Sequence, residues 1–271
     1  MTDRQRPGGI PRIRRARGFR LYDMQGRRYL DLYREEALLG HRDAGSLSAM
    51  KSVLSQGLAA ALPSVWEKRL VSALARSFPL HAEVRLYSSR ERALDAARRC
   101  IGEEAALMHD PAFGALAGSA SLSAWRPFLP AAEKARVLLP VMPVRVAESP
   151  APACFAGEVP HAVPLSDVIP AFILAGALRG FAALSKSMAG ACPLSNPAID
   201  SALDAAQGWV RVGPYVRAIF PEAEHPRVHA EFLRAGVLLH PVYPGPSVLP
   251  GDCSPGETRL LVELFTTVPG G

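Results

Sequence analysis

The sequence predicts an α/β fold: a large domain in which strands alternate with helices, and an appendage of strands and helices built from both ends of the chain. Three observations lead there. Short apolar runs of strand length, such as "VRLY" (84–87) and "RVLLPVMPV" (136–144), alternate with helix-period segments through the middle of the chain. A strand hairpin stands near the N-terminus and a helix at the C-terminus. With 271 residues, 49% of them hydrophobic, the chain can bury a sizeable core.

Taken in order, "FRLYDMQGRRYLDLY" (19–33) reads as two alternating strands turning at Gln25-Gly26, with Leu21, Tyr29, Leu30 and Leu32 placed for burial. A helix follows in "GSLSAMKSVLSQGLAAAL" (45–62). A second spans 64–78, where Trp66, Leu70, Leu74 and Phe78 recur every four residues and Pro79 stops it. Residues 84–99, "VRLYSSRERALDAARR", read as strand, tight turn and helix. Ser88 and Glu91 fit the S-x-x-E capping box, with Ser88 as cap, and Ala93, Ala96, Ala97 and Cys100 form a small apolar stripe.

"AALMHDPAFGALAG" (105–118) suggests a short strand entering a loop at Asp110-Pro111. Residues 115–165 are rich in Pro, Ala and Gly, with one clear strand in "RVLLPVMPV". Helices then stand in "NPAIDSALDAA" (196–206) and "PRVHAEFLRAG" (226–236), the latter with Val228, Phe232 and Ala235 as its stripe and Gly236 as its stop. A proline-rich extended segment and a final helix, "PGETRLLVELF" (255–265), close the chain.

The net charge of +6 is concentrated in the first 20 residues, where seven arginines face Asp3 alone; the other 251 residues balance. Such an arm can bind polyanions, but no interleaved aromatics or nucleic-acid motif accompany it, so a solvated leader is expected and nucleic acid is not. Four scattered cysteines, Cys100, Cys154, Cys192 and Cys253, form no CxxC pair and point to a reducing cytoplasm. The most apolar window, 168–184, is broken by Pro170 and Arg179, which favours a buried helix over a membrane span.

No nucleophile elbow, phosphate-loop or HExxH motif is present. His225 and His229 are four apart and could share a helix face as metal ligands, but Pro226 leaves His225 at the helix start, so no metal is expected. His109-Asp110 reads as a loop entry, since adjacent side chains rarely face each other.

An ordered series of short motifs resembles the class III aminotransferases, the pyridoxal-phosphate group that includes glutamate-1-semialdehyde aminomutase. "GFRLYDMQGRRYLDL" (18–32) is similar to its N-terminal hairpin, and "LLGHRDAGSLSAM" (38–50) to its Leu-Gly-His segment leading into a helix. "VWEKRLVSALARSFP" (65–79) is similar to a family helix. "VRLYSSRERA" (84–93) resembles the pattern Val-Arg-Phe-x-Asn-Ser-Gly-Thr-Glu-Ala, and "NPAIDSALDAA" with "FLRAGVLLHP" (232–241) its small-domain segments. The resemblance covers about two thirds of the chain. It implies a fold-type-I arrangement: a large α/β domain around a mostly parallel sheet, a small α+β domain from both termini, and a homodimer. The implied divisions are an arm and part of the small domain over 1–50, a shortened large domain over 51–190, and the rest of the small domain over 191–271.

Pyridoxal chemistry needs a Schiff-base lysine, an acid on the pyridine nitrogen and donors for the phosphate. "SDVIPAFILAG" (166–176) best matches the family's Asp-x-x-x-x-Gly-Lys, and it sets Phe172 at the Gly and Ile173 at the Lys, a residue that forms no imine. Of the four lysines, Lys51, Lys68, Lys134 and Lys186, only Lys186 stands near a small-residue segment and could serve in its place. "LLPVMPV" (138–144) sets Met142 and Pro143 where acids belong. At the phosphate turn Ser88 and Ser89 remain, while Arg90 and Glu91 replace the Gly and Thr. The aromatic ring cover resembles Ala112-Phe113-Gly114.

These matches and departures imply a degenerate aminotransferase-like protein without transaminase activity, a homodimer that binds a small ligand in a vestigial cleft at Ser88, Ser89, Phe113 and Gly114, or binds a partner. No cofactor is then expected. The alternatives are a divergent pyridoxal-phosphate enzyme acting through Lys186, and a polyanion-binding protein using the arginine arm.

Overall fold

The hairpin expected at Gln25-Gly26 forms because Asp23 organises it. In the computed structural model, which describes residues 10–33, 38–41, 43–102, 107–114, 120–143, 150–189 and 196–267, its Oδ1 accepts from the N–H groups of Gln25 (3.0 Å) and Arg27 (2.8 Å). Gly26 takes the φ of +82° that the turn requires. A first strand, β1 (Ile13–Arg17), pairs antiparallel with β2 (Arg20–Asp23), and the hairpin joins β2 to β3 (Arg28–Asp31). The arginine-rich leader is therefore not a solvated arm throughout. Its second half is an edge strand, the Arg15 guanidinium lies 4.8 Å from the Tyr22 ring centroid, and Arg20 is bonded to Glu257. Residues 1–9, with Arg4 and Arg6, lie outside the described residues.

Asp43 starts α1 (Ala44–Leu54) by accepting from the Ser46 N–H at 2.7 Å. In α2 (Val65–Ser77), Leu70 and Leu74 of the every-fourth-residue stripe are buried, as is Phe78 beyond its end. Then come β4 (Glu83–Tyr87) and α3 (Arg90–Ile101), which Gly102 ends with a left-handed φ of +74°. β5 (Leu122–Trp125), β6 (Val137–Pro140), β7 (Ala151–Phe155) and α4 (Ala171–Met188) follow.

These elements belong to one compact unit, Asp43–Ala189. Its sheet has the order β4-β7-β6-β5. β4, β5 and β6 run in one direction and β7 runs against them, inserted between β4 and β6, so β5 and β6 are the parallel neighbours. The sheet is thus mixed, with three of its four strands sharing a direction. Both faces are covered. Ala93, Ala96, Ala97 and Cys100 of α3 pack on Tyr87, Leu122, Val137 and Phe155, while Trp125 turns to the other face and meets Phe78 and Phe181 at centroid distances of 5.1 and 6.2 Å. Among the described residues α4 is the one helix long and apolar enough to cross a membrane, yet its Leu174, Ala177, Phe181 and Leu184 are buried within this unit.

The second unit joins Met1–Arg42 to Gly190–Gly271, so the first division falls before α1 and not at residue 50. Its later elements are α5 (Pro197–Ala205), β8 (Trp209–Val212), β9 (Tyr215–Ala218), α6 (His225–Ala235), β10 (Val237–Leu238), β11 (Ser247–Val248) and α7 (Pro255–Thr267). One sheet has the order β1-β2-β3-β10, with β10 parallel to β3; the other is antiparallel, β11-β9-β8. Trp209 centres the core, 5.3, 5.6 and 5.1 Å from the rings of Phe220, Phe232 and Phe265.

Candidate functional site

Because β4, β5 and β6 share a direction, their carboxyl ends lie on one edge of the sheet, the edge where open α/β sheets hold ligands. Ser88 and Ser89 follow β4 there, Arg126 follows β5, and Met142-Pro143 follow β6.

Ser89, extended at φ −148°, caps α3: its Oγ accepts from the Arg92 N–H at 3.2 Å. The N-cap is therefore Ser89 and not Ser88, as the capping box expected from Ser88 and Glu91 would have it. The physical reason is that Ser88 is engaged elsewhere. Its N–H (2.8 Å) and its hydroxyl (2.7 Å) both donate to Oδ2 of Asp167. Arg92 reaches the same carboxylate from the first turn of α3, through Nε to Oδ2 (2.7 Å) and Nη2 to Oδ1 (2.5 Å).

Asp167 arrives on an extended segment, residues 163–167, that covers the outer edge of β4. The Asp167 N–H donates to the Leu86 carbonyl (2.8 Å) and the Leu86 N–H to Ser166 Oγ (3.1 Å). The Tyr87 hydroxyl donates to the Pro164 carbonyl (2.7 Å), and Arg85 Nη1 to the carbonyls of Val163 and Pro164 (2.7 and 3.1 Å). An edge strand leaves backbone groups unpaired, and this segment satisfies those of Leu86. The hydrogen bonds from Arg92, then those from Ser88, hold the Asp167 carboxyl down at about 2 against the opposing effect of burial. Burial pushes the Tyr87 phenol up to about 12.

At the β5 end, Arg126 is 1% exposed and donates twice to Asp110, Nε to Oδ1 (2.5 Å) and Nη2 to Oδ2 (2.6 Å). Asp110 Oδ1 also accepts from the Ala112 N–H (3.0 Å), fixing the Pro111–Phe113 turn. His109 and Asp110 thus have separate tasks: His109 Nδ1 lies 3.2 Å from Ser123 Oγ and its Nε2 3.3 Å from the Gly114 carbonyl. Phe113 is 39% exposed beside Gly114, whose φ is +109°.

Among the described residues the donor set does not match what a pyridoxal group requires. Lys51, Lys68, Lys134 and Lys186 are all exposed, the last in the final turn of α4. Ile173 is buried in the first turn of α4, and Met142 and Pro143 are buried where a pyridine-nitrogen acid was sought. Ser88, the donor that a phosphate would use, is bonded to a carboxylate, and a second anion beside it would be repelled.

In the other unit, His225 and His229 do share a face of α6, with ring centroids 6.0 Å apart. His225 Nε2 lies 3.2 Å from the His240 carbonyl, and the buried His229 Nε2 has no hydrogen-bond partner among the described residues. Burial lowers both below the ordinary histidine value, so both are neutral near pH 7. Among the described residues no group of three His, Cys, Asp or Glu side chains could hold a metal. Cys100 and Cys154 are buried with their thiols pushed up by burial, and Cys253 is pushed up to about 11; Cys192 lies outside the described residues.

Asp167, Arg92, Arg126 and Asp110 are the functional-edge residues that sequence reasoning did not assemble. Asp167 stands in the sequence as the acid of the Asp-x-x-x-x-Gly-Lys resemblance, with nothing local to link it to Ser88 or Arg92, and the Arg126–Asp110 pair joins two irregular segments with no shared pattern.

No family model matches the chain. An uncharacterized protein of Treponema pallidum (strain Nichols) is 29% identical, over 88% of this chain and 89% of its own length. A glutamate-1-semialdehyde 2,1-aminomutase of Syntrophus aciditrophicus is 33% identical over 95 residues, 34% of this chain but only 22% of that enzyme. Among solved structures, an ornithine aminotransferase from Plasmodium yoelii superimposes with a TM-score of 0.72 at 13% identity, covering 98% of this chain and 95% of its own. The chain's fold is that of the fold-type-I pyridoxal-phosphate enzymes, and about a third of it is similar in sequence to a glutamate-1-semialdehyde aminomutase.

Proposed function

We propose that this is an aminotransferase-fold protein without transaminase activity, working as a homodimer that binds a small ligand or a protein partner. The observation that carries the reading is the placement of the lysines: all four are exposed, on the surfaces of helices or in a loop, and none stands at the carboxyl edge of the sheet within the described residues. A Schiff-base lysine must be held, partly desolvated, against its carbonyl partner. Lys186, the fallback candidate, is solvated at a helix end. The free thiols of Cys100, Cys154 and Cys253 favour a reducing, cytoplasmic setting.

The test is spectroscopic. The purified protein is incubated with pyridoxal phosphate, its visible spectrum recorded, and the mixture reduced with borohydride and mapped by peptide mass. We expect no internal-aldimine band and no modified lysine. A stoichiometric adduct at Lys186 that disappears in Lys186→Ala would overturn the proposal. Light scattering on the eluting protein reads the dimer; a monomer at micromolar concentration would remove that part.

A further inference from the structure

We infer that residues 163–167 form a strap whose terminal carboxylate, Asp167, occupies the anion position at the start of α3 and keeps a phosphate out of it. The inference rests on the non-transaminating reading above and concerns the same edge of the sheet, but it needs no statement about lysine.

The geometry has two parts. First, one carboxylate oxygen, Asp167 Oδ2, collects the Ser88 N–H, the Ser88 hydroxyl and Arg92 Nε within 2.8 Å. A main-chain donor, a side-chain hydroxyl and a guanidinium converging at a helix N-terminus make an arrangement suited to an oxyanion, and here the oxyanion belongs to the chain. Second, the strap is fixed by bonds that do not involve that carboxylate: Asp167 N–H to Leu86, Leu86 N–H to Ser166, Tyr87 to Pro164 and Arg85 to Val163.

Apolar burial pins the strap only at its flanks. Val163 and Ile169 are buried, while Leu165 (79% exposed) and Val168 (50% exposed) between them face solvent. What the exposed stretch contributes is the Asp167 N–H and the Ser166 hydroxyl, which pair the two backbone groups of Leu86, and its carboxylate. Because the carboxylate is tethered, its effective concentration at Ser88 is of millimolar order or higher, and free phosphate must compete against that. Two anions cannot share Ser88, since each would leave the other uncompensated.

The test uses inorganic phosphate alone, with chloride at matched ionic strength as control, and reads thermal unfolding of wild type, Asp167→Ala and Asp167→Asn. Wild type should show no phosphate-specific shift. Asp167→Ala should gain a saturable rise of roughly 2–4 °C once phosphate is about tenfold above its dissociation constant. If Asp167→Ala does not fold, Asp167→Asn, which keeps an acceptor for Ser88 but no charge, carries the same expectation. A phosphate-specific rise in wild type overturns the inference, and so does its absence in the folded variants. A lysine adduct with pyridoxal phosphate would sink the functional proposal without touching this result, so the two fail separately.

Discussion

Replacing Arg20 by alanine tests whether the N-terminal hairpin and the last helix are held by one buried ion pair. Glu257 closes a capping box at the start of α7: its N–H donates to Ser254 Oγ (3.3 Å) and its Oε2 accepts from the Ser254 N–H (2.8 Å). The same carboxylate accepts from Arg20 Nε (2.9 Å) and Nη2 (2.6 Å). The Glu257 side chain is 5% exposed and that of Arg20 15%. Burial alone would push Glu257 up, but the hydrogen bonds from Arg20 and Ser254 outweigh it and bring the carboxyl down to about 2.

Arg20→Ala leaves that carboxylate buried, with the half-exposed Arg28 Nη2 at 3.8 Å as a weaker partner. Breaking a buried pair from one side costs about 3–5 kcal/mol. The surviving Ser254 bonds and the approach of Arg28 reduce this to roughly 2–4 kcal/mol. Trp209 makes the measurement specific, because it sits in the core of the same unit while Trp66 and Trp125 belong to the other. With those two replaced by Phe, urea unfolding followed by tryptophan fluorescence reports this unit. Arg20→Ala combined with Glu257→Leu should recover much of the loss, since no uncompensated charge remains. A loss under about 1 kcal/mol, the level of an exposed pair, would refute the buried-pair reasoning. A double variant no better than the single one would refute it as well.

Two further predictions concern pH. Asp167 and Glu257 both have carboxyls held at about 2, below the unfolded range near 4, so their contribution is complete above about pH 4 and is lost as pH falls toward 2; urea midpoints measured across that window should fall for wild type and fall less for Asp167→Asn/Glu257→Gln. His225 and His229 act in the same direction but at higher pH: with folded values lowered by burial, their neutral forms favour the folded state at pH 7, and stability drops as pH falls through about 6.5. His229→Leu should flatten that limb in Trp209-detected unfolding, and an unchanged pH profile in the variant would count against it.

What the sequence made legible follows how local each signal is. The hairpin at Gln25-Gly26, the stripe Leu70, Leu74, Phe78 and the stop at Gly236 each depend on a few neighbouring residues, and each is found where it reads. β5 and β7 were not legible: "LSAW" and "APACF" carry small residues and a proline, and become strands only because β6 and β4 supply partners. The α3 cap shows the limit most plainly. S-x-x-E occurs at both Ser88 and Ser254, and only the second forms the reciprocal pair, because at the first a residue 79 positions away claims the serine. The candidate site fails to read for the same reason: Ser88 and Ser89 are local, whereas Asp167 and Arg126 acquire meaning only through the sheet edge that gathers them.

The strap also explains how this edge is stable without a bound anion. A ligand that binds only the folded state adds stability that grows with its concentration, and a fold that relies on such a ligand can leave helix N–H groups and cationic side chains turned toward the vacancy when it is absent. In this chain the Ser88 N–H and the Arg92 guanidinium have a partner that does not dilute, because Asp167 is covalently part of the same unit. The arrangement costs the site its access to phosphate and gives the β4 edge a permanent cover. The cover along the outer side of β4 and the carboxylate at the end of that strand thus come from one short segment, which ties the stability of the strand to the occupancy of the helix start.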